Sequence, residues 1–136
     1  MEQENATSIT VEFTGSKRIN ARVGDFLIQT DQPAGYGGEA GAPAPFELFL
    51  ASIATCAGIF AWNFCEMRQI STEGLALDMA CIDTPDRKMI GEIRFLLTLP
   101  TGFPEKYRQG IIRAMEQCSV KRHMQQSPGF SVEITA

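Results

Sequence analysis

The sequence predicts an α+β domain in which a long apolar helix lies between two groups of short strands. Residues 8–30 and 75–99 contain apolar residues that alternate with polar ones, which is the period of half-buried strands. Residues 45–67 lie between these groups and are apolar at helical spacing. The 136 residues suit a single domain, because there is no internal repeat and no linker long enough to mark a second one.

The N-terminal strands are predicted to form a three-stranded meander. They cover residues 8–14, 19–23 and 26–30. Gly15-Ser16 and Gly24-Asp25 suit the two turns between them, since these residue types favour tight turns. Residues 1–7 are predicted to be a loose tail.

A loop rich in glycine and proline, residues 31–45, follows the third strand. Its segment GYGGEA, residues 35–40, fits the glycine pattern of dinucleotide-binding turns. That function requires the glycines to pass directly from a strand into a helix, whereas Pro43 and Pro45 intervene here. The loop is therefore predicted to be a flexible connector and not a nucleotide site.

The central helix is predicted over residues 45–67, PFELFLASIATCAGIFAWNFCEM. Apolar residues occupy both of its sides, which is typical of a helix that is buried on more than one side. Pro45 suits the first helical position, and Glu47 suits the positive end of the helix dipole. A membrane span requires about 20 apolar residues. The run here is shorter and contains polar residues, so we interpret it as a core helix.

The second half of the chain is predicted to contain two strands, further helices and a final strand. The two strands cover residues 75–81 and 93–99. Pro104 begins a helical pattern whose apolar face ends at Cys118, and a short further helix follows. Residues 130–134 alternate again and predict the final strand. Since the central helix is apolar on two sides, we expect a homodimer to cover the remaining apolar surface.

The composition restricts both the partner and the compartment. Twelve basic and 16 acidic residues give a net charge of −4, which offers no electrostatic footprint for nucleic acid. The N-terminal segment MEQENATSIT lacks a basic region followed by an apolar run, so we expect no secretory signal and a reducing cytoplasm. Four cysteines in such a compartment are more typical of free, catalytic or metal-bound thiols than of structural disulfides.

The spacing of the cysteines argues against a metal site. No two cysteines have CxxC spacing, and the one histidine, His123, has no partner at ligand spacing. Cys65 lies on the opposite side of the central helix from Cys56, because nine residues at 100° each turn it by about 180°. We interpret Cys65 and Cys81 as small buried hydrophobic residues. Cys56 and Cys118 lie on apolar faces of two different helices, so they are either core residues or a pair that meets.

The segments PFELFLASIATC and AMEQCSVKRHM resemble the OsmC/Ohr family of osmotically inducible and organic-hydroperoxide-resistance proteins. The resemblance covers nearly the whole chain, from about Phe13 to Ile134. It implies an intertwined homodimer that has no bound cofactor and reduces organic hydroperoxides. Cys56 would be the peroxidatic thiol and Cys118 the resolving thiol. An external dithiol, a lipoylated protein or a thioredoxin-type donor would then reduce their disulfide.

The thiolate is the nucleophile, and an apolar site raises the pKa of a thiol, so a positive side chain is expected near Cys56. The start of the central helix is too far away, because a helix dipole acts only within the first turn. The resemblance implies an arginine from the N-terminal strands, with Arg18 as the candidate and Arg22 as the weaker choice. Both could equally be ordinary solvent-facing residues.

The sequence departs from the organic-hydroperoxide branch at Phe46, where that branch has a glutamate that orients the arginine. Glu47, one residue later, either takes that role or caps the first turn of the helix. The departure leaves two alternatives to a peroxidase on the same fold. One is a non-catalytic redox or small apolar ligand-binding module, and the other is a thiol–disulfide exchange protein that does not reduce peroxide.

Overall fold

The computed structural model describes residues 7–135, so most of the predicted tail lies outside the described residues. The chain divides into two compact units, 1–50 and 51–136. The order of elements is that of a mixed α+β fold with a three-stranded sheet, a long helix, a two-stranded sheet and further helices. The predicted α+β class is therefore confirmed.

The first unit contains the predicted meander. Its antiparallel strands are β1 (Ile9–Phe13), β2 (Ile19–Val23) and β3 (Phe26–Thr30), in that spatial order. Gly24 forms the second turn with a φ of +58°, a left-handed conformation that glycine adopts without strain. The short strands have bounds close to those predicted because period-two alternation and turn residues agree at each boundary.

The loop that follows β3 is held by one buried carboxylate, whereas the sequence predicted a flexible connector. Asp31 is 1% exposed and accepts hydrogen bonds from the backbone N–H groups of Gln32 at 2.7 Å and Gly41 at 3.0 Å. Its own N–H donates to the carbonyl of Pro43 at 3.2 Å. These bonds connect the beginning and the end of the loop, and the N–H bonds lower the pKa of the Asp31 carboxyl.

The long helix, α1, covers Pro45–Met67 as predicted. Its start is capped because Glu47 accepts a hydrogen bond from the N–H of Ala44 at 3.0 Å, which is half of a capping box. One side of α1 is buried, through Ile53, Ala57, Ala61, Phe64 and Cys65. Other apolar side chains on α1 stay exposed, so the prediction of burial on more than one side is wrong for the single chain. The exposed set is Phe46, Phe49, Ile59, Trp62 and Met67.

By length and composition, α1 is the one helix among residues 7–135 that could cross a membrane. The core helix of a water-soluble protein passes the same test, so this property alone decides little. Part of α1 is buried by the second unit, which fits the predicted core helix.

The second unit contains the antiparallel hairpin of β4 (Ala76–Asp83) and β5 (Ile90–Thr98). Leu77 pairs with Leu97, and Cys81 pairs with Ile93. The prediction that Cys81 is buried is wrong, because its side chain is exposed. Leu77 and Met79 lie on the same face of β4 and are half-buried, so this face is covered by other residues as far as Met79 and is exposed to solvent at Cys81.

The helices after β5 begin with a 3₁₀ turn at Glu105–Tyr107, which leads into α2 (Arg108–Met115), and α3 (Ser119–Gln125) follows. The core of the second unit lies where α1 meets α2, around Phe64, Cys65, Phe103 and Ile111. Gly110 permits this close approach, because a Cβ atom there would lie 3.0 Å from the ring of Phe64.

Residues 130–134 do not form the predicted final strand in the single chain. Phe130, Val132 and Ile134 are 91%, 94% and 95% exposed, so the alternating apolar residues contact almost nothing. A strand requires a neighbouring edge for its N–H and C=O groups, and β4 and β5 pair only with each other among the described residues.

Candidate thiol site

The structure brings Cys56 and Cys118 together, although they are far apart in sequence. Cys56 lies in the middle of α1 and is half-buried, and Cys118 is 2% exposed. They lie close enough for the Cys118 thiol, as a hydrogen-bond donor, to lower the pKa of the Cys56 thiol. Both cysteines are free thiols in this structure. The two thiols that the sequence singled out thus share one site, built entirely from the second unit.

Cys118 reaches this position because the chain turns between α2 and α3. The sequence placed it on the face of one continuing helix, and this was wrong: α2 ends at Met115 and Cys118 is the N-cap of α3. Its ψ of 126° is extended, which breaks the helical path. Its carbonyl then accepts the first bond of α3, from the N–H of Arg122 at 3.1 Å.

The start of α3 supplies further donors to Cys56. The first N–H groups of a helix have no partner inside the helix, so they are free to bind other acceptors. Two of them, from Val120 and Ser119, are among the hydrogen-bonding groups that lower the pKa of the Cys56 thiol. Like the Cys118 thiol, they favour a thiolate over a thiol at Cys56.

These contacts decide the protonation state of Cys56. Burial is the largest single influence and opposes ionisation. The hydrogen bonds from Cys118, Val120 and Ser119, together with the positive charge of Arg122, outweigh it. The pKa of Cys56 therefore lies below that of an ordinary thiol.

Cys118 is affected in the opposite direction. Burial raises the pKa of its thiol, and so do its hydrogen bond to Cys56 and the negative charge that Cys56 acquires. The N–H groups of Lys121 and Val120 act against this change, but they do not reverse it. One member of the pair is thus disposed to be a thiolate, while the other stays a thiol that can donate its proton.

The two arginines predicted to serve Cys56 have carboxylate partners in the first unit. Arg18 lies 3.6 Å from a carboxylate oxygen of Asp31 and 3.7 Å from one of Glu39. Arg22 forms an ion pair with Glu12 across the β1–β2 hairpin. A role for Arg18 or Arg22 toward the thiols stays a prediction.

Gly41 explains how the guanidinium of Arg18 fits against the loop. A Cβ atom at Gly41 would lie 2.1 Å from Nη2 of Arg18, so a side chain at this position would displace the flexible end of the Arg18 side chain. Asp31 is the partner that sequence reasoning missed, because no local pattern distinguishes a buried loop aspartate from an exposed one.

The residues at the start of α1 have structural partners. Glu47 caps the helix, which is the simpler of the two roles that the sequence allowed. Phe46 packs against Phe49, with ring centroids 5.6 Å apart, and most of its side chain is exposed. At position 46, α1 therefore presents an aromatic ring and not a carboxylate.

Sequence reasoning also missed Arg122, whose charge acts on Cys56. It lies four residues after Cys118, which is one helical turn along α3. The available signal was the pair Lys121-Arg122 directly after the second cysteine. Its meaning depends on the turn at Cys118, which the sequence pattern did not show.

Among residues 7–135, no cluster of three or more His, Cys, Asp and Glu side chains is arranged to hold a metal ion. The site chemistry described here consists of thiols, N–H donors and a guanidinium. These groups suit nucleophilic and redox chemistry at sulfur.

The fold and the thiol pair define a small α+β protein with a candidate redox site, and comparison with known proteins gives its family. The family model for OsmC-like proteins matches residues 37–133. The chain therefore belongs to the OsmC-like family, as the sequence resemblance implied. Proteins of this family carry no cofactor and are typically homodimers. No curated protein matches the chain by sequence.

Solved structures share the fold at low sequence identity. One, described as an osmotic stress induced and detoxification response protein from Psychrobacter arcticus, is 19% identical, with a TM-score of 0.73 and 90% of each chain covered. An organic hydroperoxide resistance protein from Legionella pneumophila is 18% identical, with a TM-score of 0.56, covering 91% of this chain and 92% of that one. A second organic hydroperoxide resistance protein, from Vibrio cholerae, has captopril bound in one of its active sites. It is 16% identical, with a TM-score of 0.57, covering 93% of this chain and 89% of that one.

Proposed function

We propose that this protein is a thiol-dependent peroxidase that reduces organic hydroperoxides. The thiolate of Cys56 attacks the terminal oxygen of the hydroperoxide and breaks the O–O bond. The sulfur keeps the OH group as a sulfenic acid, and the remaining alkoxide takes a proton and leaves as an alcohol. The peroxide gains two electrons and the sulfur loses two.

Cys118 completes the cycle as the resolving thiol. Its sulfur attacks the sulfenic acid, which forms the Cys56–Cys118 disulfide and releases water. An external dithiol then restores both thiols by exchange and becomes a disulfide itself. A small dithiol, a lipoylated protein or a thioredoxin-type protein has the required chemistry, and a reducing cytoplasm would keep such a donor reduced.

The observation that carries this proposal is the proximity of two thiols whose pKa values are moved in opposite directions. The pKa of Cys56 is lowered by its donors, so Cys56 suits the nucleophile, and the pKa of Cys118 is raised by burial. A pair of titratable groups moved apart in this way is typical of a division of chemical roles.

Two further observations support an organic substrate and not hydrogen peroxide. Relatives in fold include proteins described as organic hydroperoxide resistance proteins. Cys56 itself lies on an apolar helix, with Ile53 one turn before it and Phe60 one turn after it. An apolar surrounding favours a peroxide with a hydrocarbon group.

We infer that the working form is a homodimer. The single chain exposes apolar side chains on α1, such as Ile59 and Trp62, and along the extended segment 130–134. Isolated chains of this size rarely expose so many large apolar groups, so a second copy is a suitable cover. Family members are typically homodimers, which supports the same inference.

The test is turnover by the purified protein with dithiothreitol and cumene hydroperoxide, followed as loss of hydroperoxide. We expect Cys56→Ser to abolish turnover and Cys81→Ser, the same change at an exposed thiol outside the pair, to leave it intact. In Cys118→Ser, one equivalent of hydroperoxide should give a Cys56 sulfenic acid that dimedone traps. Turnover that persists in Cys56→Ser would exclude the proposed mechanism.

A second candidate is a non-catalytic module that binds a small apolar ligand. The exposed aromatic pair of Phe46 and Phe49 favours it, because the organic-hydroperoxide branch has a glutamate at the first of these positions. This candidate predicts no hydroperoxide consumption and an apolar ligand that co-purifies with the protein. Native mass spectrometry of the purified protein distinguishes it from the peroxidase.

A further inference from the structure

The resolving thiol is attached to the least buried helix of the second unit. Cys118 is the N-cap of α3, which has seven residues and buries none of their side chains. By contrast, α2 is fixed in the core through Ile111. A helix shorter than about 12 residues is marginally stable in water unless packing supports it. We therefore expect α3 to open locally at a lower free energy than α1 or α2.

The side-chain hydrogen bonds of α3 are local. A ring nitrogen of His123 lies 2.7 Å from the Ser119 carbonyl oxygen, and Nη2 of Arg122 lies 3.5 Å from the Ser119 hydroxyl oxygen. The hydroxyl of Ser127 donates to the carbonyl of Met124 at 3.2 Å. Each of these bonds joins residues three or four positions apart, so none of them connects α3 to another element.

The two sulfurs of the thiol site differ in access, and their chemistry points the other way. Cys118 is 2% exposed, whereas Cys56 is half-buried. In thiol–disulfide exchange, the sulfur whose thiol has the lower pKa leaves faster. In a Cys56–Cys118 disulfide the better leaving sulfur is that of Cys56, so the favoured point of attack is Cys118. The sulfur that a reductant should attack is thus the one that solvent hardly reaches.

We propose that α3 opens in the oxidised protein and presents the sulfur of Cys118 to the reducing dithiol. The proposal rests on the proposed function, since it describes how the oxidised pair is restored. One thiolate of the dithiol attacks Cys118, the S–S bond breaks, and Cys56 leaves as a thiolate. The second thiol of the dithiol loses its proton and attacks the first, and Cys118 leaves and takes up a proton. The dithiol loses two electrons and becomes a cyclic disulfide, and the protein pair gains them.

The first test locates the mixed disulfide in the parent protein. Diamide oxidises the purified protein to the disulfide without peroxide, and 2-mercaptoethanol then starts the reduction. An acid quench fixes the products, and mass spectrometry of the peptides locates the bound 2-mercaptoethanol. We expect about a tenfold excess of the adduct on Cys118 over the adduct on Cys56. An excess on Cys56, or failure of diamide to form the disulfide, would overturn the proposal.

The second test changes the stability of α3 alone. His123 is an exposed position inside α3, and glycine destabilises a helix relative to alanine. His123→Gly and His123→Ala both lack the ring, so their comparison isolates the helix. The disulfide of His123→Gly should be reduced by dithiothreitol about fourfold faster than that of His123→Ala, because its open population is larger. Amide exchange of residues 119–125 should increase by the same factor.

Gln109→Gly and Gln109→Ala are the matched pair, because Gln109 is exposed on α2. Their disulfides should be reduced at equal rates. Equal reduction rates in the two His123 variants would overturn the proposed opening, and so would a fourfold ratio in the Gln109 pair. The position of the mixed disulfide in the parent protein keeps the proposal testable if His123→Gly does not fold.

The proposed function fails separately, because oxidation by diamide requires no peroxide. Absent hydroperoxide turnover, together with an adduct on Cys118 and faster reduction of His123→Gly, would support the opening of α3 and exclude the peroxidase. Hydroperoxide turnover together with an adduct on Cys56 would support the peroxidase and overturn the opening of α3.

Discussion

Cys56 and Cys65 lie on the same helix, nine residues apart, and the protein treats them in opposite ways. Cys65 is 0% exposed and packs in the core with Phe103 and Ile111. Burial raises the pKa of its thiol, and the nearby charge of Arg68 does not reverse this change. For Cys56, burial acts in the same direction, yet the pKa is lowered.

The two thiols differ in their hydrogen-bond donors and in their burial. Each thiol has an arginine whose charge acts on it, Arg68 for Cys65 and Arg122 for Cys56. Only Cys56 also has a thiol and backbone N–H groups as donors. The pKa is therefore lowered only at the thiol that has hydrogen-bond donors and is less deeply buried.

The largest expected difference is in reactivity. In native, reduced protein at pH 7, iodoacetamide should label Cys56 at least about a hundredfold faster than Cys65, because Cys65 becomes accessible only through local opening of the core. The lowered pKa of Cys56 places the midpoint of its pH–rate profile below that of the same cysteine in denatured protein. Mass spectrometry of the two peptides gives both rates.

Denatured protein is the control for this comparison, since both thiols should then react at nearly equal rates with ordinary midpoints. A native Cys65 that is labelled as fast as Cys56 would contradict the packed core around it. A native Cys56 midpoint at or above the denatured value would contradict the stabilised thiolate.

Part of this contrast could be predicted from the sequence, and part could not. Helical periodicity placed Cys56 and Cys65 on opposite sides of one helix, and the bounds of α1 followed from Pro45 and the apolar run. Such local patterns are reliable because they depend on backbone geometry alone. They also predicted β2 and β3 with the bounds that the structure has.

The turn at Cys118 could not be predicted in the same way. The apolar spacing from Ile111 to Cys118 continues the helical period, and no glycine or proline marks the end of α2 between them. The partners of Cys56 at Ser119, Val120 and Arg122 all depend on that turn, so they remained hidden. The prediction of a final strand at residues 130–134 failed for a related reason. Alternation of apolar and polar residues predicts an extended segment, but it does not supply the neighbouring strand that a sheet requires.

A smaller effect is expected from removing the thiol partner of Cys56. Cys118→Ala deletes the hydrogen bond to the thiolate, so it should raise the pKa of Cys56 and lower its alkylation rate at pH 7 about tenfold. Cys118→Ser retains a donor at the same place and should lower the rate less. The pH–rate profile of the Cys56 peptide measures both.

Cys81→Ala is the control for that pair, because it removes an exposed thiol from β4 without changing the surroundings of Cys56. If Cys118→Ala and Cys118→Ser gave identical profiles that matched the parent, the Cys118 thiol would have no part in the ionisation of Cys56. The backbone N–H groups and Arg122 would then account for it.

The smallest expected effect concerns the other arginine of the comparison. The Arg68 guanidinium lies 3.6 Å from the ring centroid of Phe64 and donates a hydrogen bond to the Phe64 carbonyl at 3.2 Å. An exposed cation–π contact contributes about 0.5–1 kcal/mol, so Arg68→Gln should lower the free energy of unfolding by that amount. Urea denaturation measures the change, with Arg113→Gln on α2 as a matched loss of one exposed helical arginine.

Arg68→Gln should leave the pH–rate profile of Cys56 unchanged. The charge of Arg68 acts on the thiol of Cys65, and its guanidinium packs against the ring of Phe64. A shift of the Cys56 midpoint in Arg68→Gln would mean that the thiolate responds to the total charge of the second unit and not to Arg122 in particular. The two arginines would then be equivalent. With the profile unchanged and the stability reduced, Arg68 contributes to packing against Phe64 and not to the ionisation of Cys56.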